Sequence, residues 1–205
     1  LSVSYSKLGD MAVRTGDTTG AADHYRAALA ITERLAAADL GNAEAQRDLS
    51  ISHDKLGDLA VRTGDVAGAD EHFPAALAIR ERLAAADPGN AEAQRDLSIS
   101  HDKLGDVAAR TGDTTGAADH YRAALAITER LAAADPGNAE AQRDLSVSYS
   151  KLGDLATETG DGLAAADHYR AALAIIEPLV DTDTQASEFA YWLRQRLEEL
   201  LQESD

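Results

Sequence analysis

Between Asn90 and Gly137 the apolar and polar positions follow an α-helical period twice over. In the first stretch Leu97, His101, Leu104 and Ala108 fall on one side, and Lys103, Asp106 and Arg110 on the other. In the second, Ala117, Tyr121, Ala124, Leu125, Thr128 and Leu131 form a stripe, while Asp119, Arg122, Ala126 and Arg130 face away. The ends are marked as clearly as the faces. Asn90 suits a helix N-cap, and Glu92 places an anion in the first turn, where the helix dipole favours it. Helical sequence continues to about Arg110, then breaks at Thr111-Gly112-Asp113. Gly112 suits a left-handed C-terminal position and Asp113 caps a second helix from Thr114 to Ala134. Pro136 ends that helix, because a proline disfavours helix in the residue before it. The pattern predicts an antiparallel hairpin of two helices, each about 20 residues and about 30 Å long. Neither helix buries its apolar face alone, so such hairpins must stack.

The unit recurs. Leu-Ser-x-Ser-x-x-Lys-Leu-Gly-Asp begins at Leu1, Leu49, Leu97 and Leu145, always 48 residues apart. A fixed period of this length marks a repeat architecture, here 1–48, 49–96, 97–144 and 145–180. Leu193 and Leu200 continue the register from Leu145 and Leu152, so 185–205 reads as a modified fifth first-helix that caps the array. Arg194, Gln195, Arg196, Glu198 and Glu199 would give it a polar outer face, and Phe189, Trp192 and Leu193 would close the core. Leu201 replaces Gly153 where no further helix approaches. No residues precede Leu1 to cover the first helix, which predicts an uncapped apolar surface of Leu1, Leu8 and Tyr25 and a route to self-association. The start at Leu1, with neither Met nor signal peptide, reads as a piece of a larger protein whose array ends at the cap. Pro74 and Pro178 fall within second helices and should kink them.

Leu104-Gly105, Gly112-Asp113, Ala117, Tyr121 and Ala124 reproduce the spacing of the tetratricopeptide repeat, and the chain resembles that family. The set recurs as Leu8-Gly9, Gly16-Asp17, Ala21, Tyr25 and Ala28, and as Leu56-Gly57, Gly64-Asp65, Ala69, Phe73 and Ala76. It appears again as Leu152-Gly153, Gly160-Asp161, Ala165, Tyr169 and Ala172. Gly105 would let the second helix approach closely, and the small alanines would leave a slot for the ring. The chain departs from the family in length, with 48 residues per repeat against 34, which resembles the long-helix bacterial variants. Tyr5, His53, His101 and Tyr149 replace the family's first-helix Trp, and Ala12, Ala60, Ala108 and Ala156 its Tyr. The resemblance implies an all-α fold, a right-handed α-solenoid of four stacked antiparallel helix hairpins with a C-terminal capping helix.

Composition adds boundaries. The chain has 205 residues, a formal charge of -17 and no cysteine. Without cysteine there is neither a disulfide framework nor thiolate chemistry, which fits a cytoplasmic setting. So acidic a chain repels phosphate backbones, so neither nucleic acid nor anionic membrane is an expected partner. No apolar run approaches the roughly 18 residues of a membrane span.

In the family, the first helix of each hairpin lines the inner, concave surface. One arc of it carries Ile51, Lys55, Asp58 and Arg62, then Ile99, Lys103, Asp106 and Arg110, then Val147, Lys151 and Asp154. The first copy is Val3, Lys7, Asp10 and Arg14. An aliphatic ladder through a charged face suggests a groove for a peptide or partner protein; the alternative is packing of the ladder against the next hairpin. Lys55, Asp58 and Arg62 are also spaced to pair within one helix. Some family members hold the acidic C-terminal tails of chaperones through a Lys and Asn clamp; Asp10, Asp58, Asp106 and Asp154 stand in the Asn place, so such tails should not bind.

Catalytic signals are weak. His24, His72, His120 and His168 precede the second-helix aromatic, and none has a histidine four residues away, so no metal ligation and no cofactor is expected. Ser50, Ser98 and Ser146 suit helix contacts better than nucleophiles. The expected function is a protein-interaction scaffold and not an enzyme; a structural spacer or self-assembling module within a larger signalling protein is the alternative.

Overall fold

The structure, a computed structural model, describes residues 1–181 and 183–202. Residues 203–205 and the Leu201 side chain, both assigned to the cap above, lie outside the described residues. The described residues form helices and no strand: α1 (Ser2–Thr15), α2 (Thr18–Ala38), α3 (Ala43–Thr63), α4 (Val66–Ala86), α5 (Ala91–Thr111), α6 (Thr114–Ala134), α7 (Ala139–Glu158), α8 (Gly162–Ile176) and α9 (Thr184–Gln202). The fold is all-α, of the helical-repeat solenoid class. The chain divides into two compact units, Leu1–Ser100 and His101–Asp205, with the division inside α5.

Local chemistry sets the element ends. At each Gly-Asp turn the glycine takes a positive φ, between 75° and 82°, which a side chain would strain. The following aspartates, Asp17, Asp65, Asp113 and Asp161, accept hydrogen bonds from the third residue of the next helix. Asn42, Asn90 and Asn138 cap α3, α5 and α7 in the same way. A repeated glutamine closes the junction between hairpins. Gln46 donates to Ala36 O, Gln94 to Ala84 O and Gln142 to Ala132 O, satisfying carbonyls that a helix end leaves without partners.

In the first unit α1 packs on α2, α2 on α3 and α3 on α4. Ala21, Tyr25, Leu56 and Leu59 form one buried core there. In the second unit α6 packs on α7, α7 on α8 and α8 on α9. Ala117, Tyr121, Leu152 and Leu155 form one core there; Ala165, Tyr169, Ala172, Ile176, Ala186, Ala190 and Leu193 form another. Each fully buried Leu or Ile side chain contributes about 1.5–3 kcal/mol by leaving water. The aromatic rings sit against glycines: a Cβ at Gly9, Gly57, Gly105 or Gly153 would lie 2.3–2.6 Å from Tyr25, Phe73, Tyr121 or Tyr169. Ser50, Ser98 and Ser146 are buried, as contact residues should be.

Several expectations change. Tyr25 is buried, because α3 lays Leu56 and Leu59 over it. The exposed apolar residues at the N-terminal face are instead Leu1, Leu8 and Met11. Pro74 sits exposed within an unbroken α4, whereas Pro178 ends α8: the chain turns there into a short 3-10 turn, Glu177–Leu179. The difference follows from place: Pro178 lies at a helix end, where an α-helical bond is readily given up. In α9 Leu193 is fully buried, while Trp192 stacks on Phe189 at the rim, 5.7 Å between ring centroids. Arg196 does not join the polar outer face; it lies over the Tyr169 and Trp192 rings.

Candidate functional site

The arc of residues expected to meet a partner lies on α1, α3, α5 and α7. In the first unit Ile51 and Ile99 are half-buried, and Asp58 and Arg62 are exposed. Val3, the first-copy counterpart, is 58% exposed. In the second unit Val147 and Arg110 are exposed.

Two of the lysines are otherwise engaged. Lys55 Nζ donates to Asp10 Oδ1 at 2.7 Å, and Tyr25 OH donates to the same oxygen at 2.7 Å. Asp10 is therefore held by the tyrosine of its own hairpin and the lysine of the next. Burial pushes its carboxyl up, but the Lys55 and Tyr25 hydrogen bonds outweigh burial and hold it below the usual value. The second unit repeats the clasp. Lys151 Nζ donates to Asp106 Oδ2 at 2.7 Å, and Tyr121 OH to Asp106 Oδ1 at 2.7 Å. Burial and the hydrogen-bonded Asp106 carboxylate both raise Tyr121, which stays protonated and donating. At the last hairpin Tyr169 donates to Asp154, and the cation nearby comes from the cap, with Arg196 at 3.8 Å.

Lys55 thus pairs across the repeat junction rather than with Asp58 in its own helix. Stacking brings it a half-buried carboxylate already oriented by a tyrosine, whereas an i,i+3 partner on the surface offers only a few tenths of a kcal/mol. Lys55, Asp106, Lys151 and Asp154 bind repeat to repeat. Of the aliphatic positions on the arc, Val3 and Val147 are exposed and Ile51 and Ile99 half-buried.

Three features were missed by sequence reasoning. Arg80 stands where Thr32, Thr128 and Ile176 stand in the other repeats. It is 4% exposed, with Asp54 Oδ2 at 2.6 Å, Ser50 Oγ at 3.2 Å and Ser100 Oγ at 2.7 Å. The break in repeat symmetry was its only sequence signal. A cleft of about 460 Å³ lies beside it, lined by Arg47, Leu83, Asn90 and Asp96 among others. Arg47 in that cleft is already paired, with Asp96 at 2.6 Å and Glu92 at 3.0 Å.

The second feature is Asp102, the counterpart of Asp54 one repeat on. Its Oδ1 is buried without a hydrogen-bond partner. Burial pushes the carboxyl up to about 7, with Asp106 and Asp144 adding to the rise and Lys151 opposing it.

The third is a pair of histidine contacts. His53 Nδ1 lies 3.2 Å from His72 Nδ1, and His101 Nδ1 lies 3.1 Å from His120 Nδ1. The signal was a 19-residue offset shared by the two middle repeats; a search within one helix does not see it. Among the described residues no group of three His, Cys, Asp or Glu side chains gathers as a metal site would need for tight binding. Nor is any described helix long and apolar enough to cross a membrane.

Residues 1–39 match the family described as tetratricopeptide repeat. No curated protein matches the sequence. Among solved structures the chain is similar to BtubC (BKLC) from P. vanneervenii, at 20% identity, TM-score 0.66, covering 97% of this chain and 76% of that one. That likeness extends to the fold. It superposes more loosely on a thermophilic TPR protein from Thermus thermophilus, at 18% identity, TM-score 0.44, covering 98% and 99%. MamA from Desulfovibrio magneticus RS-1 is similar at 16% identity, TM-score 0.43, covering 100% and 97%.

Proposed function

We propose that this helical-repeat chain, whose residues 1–39 match the tetratricopeptide-repeat family, holds a peptide or partner protein on the exposed arc of its first helices. What supports this reading is one observation: aliphatic side chains stand part-exposed among charges at the same place in successive repeats, as Val3, Ile51, Ile99 and Val147. A partner would cover these aliphatic side chains within a unit. Lys55, Lys103, Asp106, Lys151 and Asp154 belong to the same arc, but those engaged in the clasps set its shape more than they touch the ligand. Carboxylates along the arc oppose an acidic tail, so a peptide with basic and aliphatic side chains fits best.

The test uses the chain as bait, with each captured protein purified and its affinity measured directly. Val3→Lys combined with Val147→Lys, at two exposed positions of the arc, should weaken a true ligand at least tenfold. Leu163→Asp, at a residue 84% exposed elsewhere, should leave it unchanged. Equal loss in both variants, or in neither, refutes the arc as the binding face.

A second reading, self-association, rests on the N-terminal face. Leu8 and Met11 are 48% and 63% exposed, whereas their counterparts Leu56 and Leu59 are each 6% exposed. Helix α9 already covers the α8 face that a head-to-tail stack would need, so this reading takes the form of two N-terminal faces meeting. Sedimentation would show a dimer that Met11→Lys dissolves; a monomer at all concentrations rejects it.

A further inference from the structure

The histidine pairs play no part in the arc just described. Each joins the first and second helix of one hairpin, α3 to α4 in the first unit and α5 to α6 in the second. Their geometry is nearly the same in both places: ring centroids 5.4 Å apart, planes inclined by 44° and 39°. All four histidines are half-buried.

Two imidazole nitrogens this close can share a hydrogen or a cation. Around a tetrahedral metal, with metal–nitrogen bonds of about 2.0–2.1 Å, neighbouring nitrogens lie about 3.3 Å apart; around a square plane they lie about 2.9 Å apart. The separations of 3.1 and 3.2 Å fall between these limits. A tetrahedral metal would set the ring centroids about 5.2 Å apart, so the rings need move only a few tenths of an ångström.

We propose that His53 with His72, and His101 with His120, form two sites for a divalent late transition metal, Cu(II), Ni(II) or Zn(II), with water in the remaining positions. Imidazole suits these ions, whereas Mg(II) and Ca(II) prefer oxygen. The metal replaces the hydrogen between the two Nδ1 atoms. That hydrogen's ring takes up a proton at Nε2 from solvent as it gives one up from Nδ1, so a neutral pair binds with no net proton release. The formal charge of -17 draws cations toward the chain. With only two protein ligands each, the sites exchange metal readily. When filled, they tie the two helices of a hairpin together.

The outer repeats supply the control. There Tyr5 and Tyr149 replace the first histidine, and each packs on its second-helix histidine with centroids 6.2 Å apart. His53→Tyr and His101→Tyr therefore copy an arrangement the fold already accommodates, and unchanged circular dichroism without metal will confirm it. Calorimetric titration of the whole chain with NiCl₂, and separately with CuCl₂, should give two equivalents for the native protein. Each single variant should give one, and the double variant none. Bound Cu(II) should show nitrogen hyperfine structure in its electron paramagnetic spectrum, and the melting temperature should rise with Ni(II) only where a pair is intact. Equal uptake by the native protein and the double variant, whether of surface carboxylates or of the remaining histidines, overturns the proposal, as does no uptake by the native protein.

Discussion

Gly105 and Tyr121 lie so close that a Cβ on the glycine would stand 2.4 Å from the ring's Cε1. The ring has nowhere to go: it is 5% exposed and its hydroxyl is held by Asp106 at 2.7 Å. Gly105→Ala should therefore destabilise the protein by about 1–3 kcal/mol or more, although alanine is the better helix former. Gly162→Ala is the matched control, with nothing within 4 Å of the added carbon, and should be neutral or stabilising by up to about 1 kcal/mol. Urea denaturation of the two variants checks both outcomes.

Asp102 predicts a dependence on pH with a definite sign. Its folded value, about 7, lies above the ordinary carboxylate value of 3.8, so the native state holds a proton that the unfolded chain releases. Stability should fall as pH rises from about 4 to about 7 and stay low beyond. Asp102→Asn should remove that fall, with a gain of up to about 4 kcal/mol at pH 8 that vanishes near pH 4. Denaturant midpoints across this range decide it.

Arg80 suggests the converse experiment. Thr128 occupies its place one repeat later, and Ser148 there corresponds to Ser100. Thr128→Arg should give Asp102 the cation that Asp54 already has, and flatten the same pH profile. Arg80→Thr should cost about 3–5 kcal/mol, because it strands a buried carboxylate. Thermal melts of both variants at pH 8 measure the exchange.

The clasps at Asp10 and Asp106 are partly exposed, so each lysine contributes little alone. Lys151→Met should cost no more than about 1 kcal/mol and make stability less salt-sensitive. Asp106→Ala should cost more, because it also takes the acceptor from a buried tyrosine. Asp10, held below 3.8, adds stability at neutral pH that disappears as the medium is acidified below about pH 4. Asp10→Asn should lose that acid-side step, which a pH titration of the melting temperature will record.

Much of the hairpin was legible because its determinants are local. Asn90, Asp113 and Gly112 act on backbone within four residues of themselves, so α5 and α6 begin and end within a residue of where the pattern places them. Gly105 and Tyr121 were legible as a contact because their spacing repeats four times with only Phe73 substituted. The arc residues were also placed on the first helices, since a helical period fixes a face. Which of them pair across the repeat junction was not legible. Lys55 has an acid three residues away in sequence, yet chooses Asp10 from another repeat.

Sequence alone determined the repeat, its helices, their caps and the glycine–aromatic notch, because each depends on residues near one another along the chain or copied at a constant interval. Tertiary structure alone decided the partners of the charges and of the histidines. Lys55 meets Asp10, Arg80 enters a core beside Asp54, and His53 faces His72 only once helices lie side by side. The pairing of long side chains depends on distances across helix junctions, and no period along one helix encodes those.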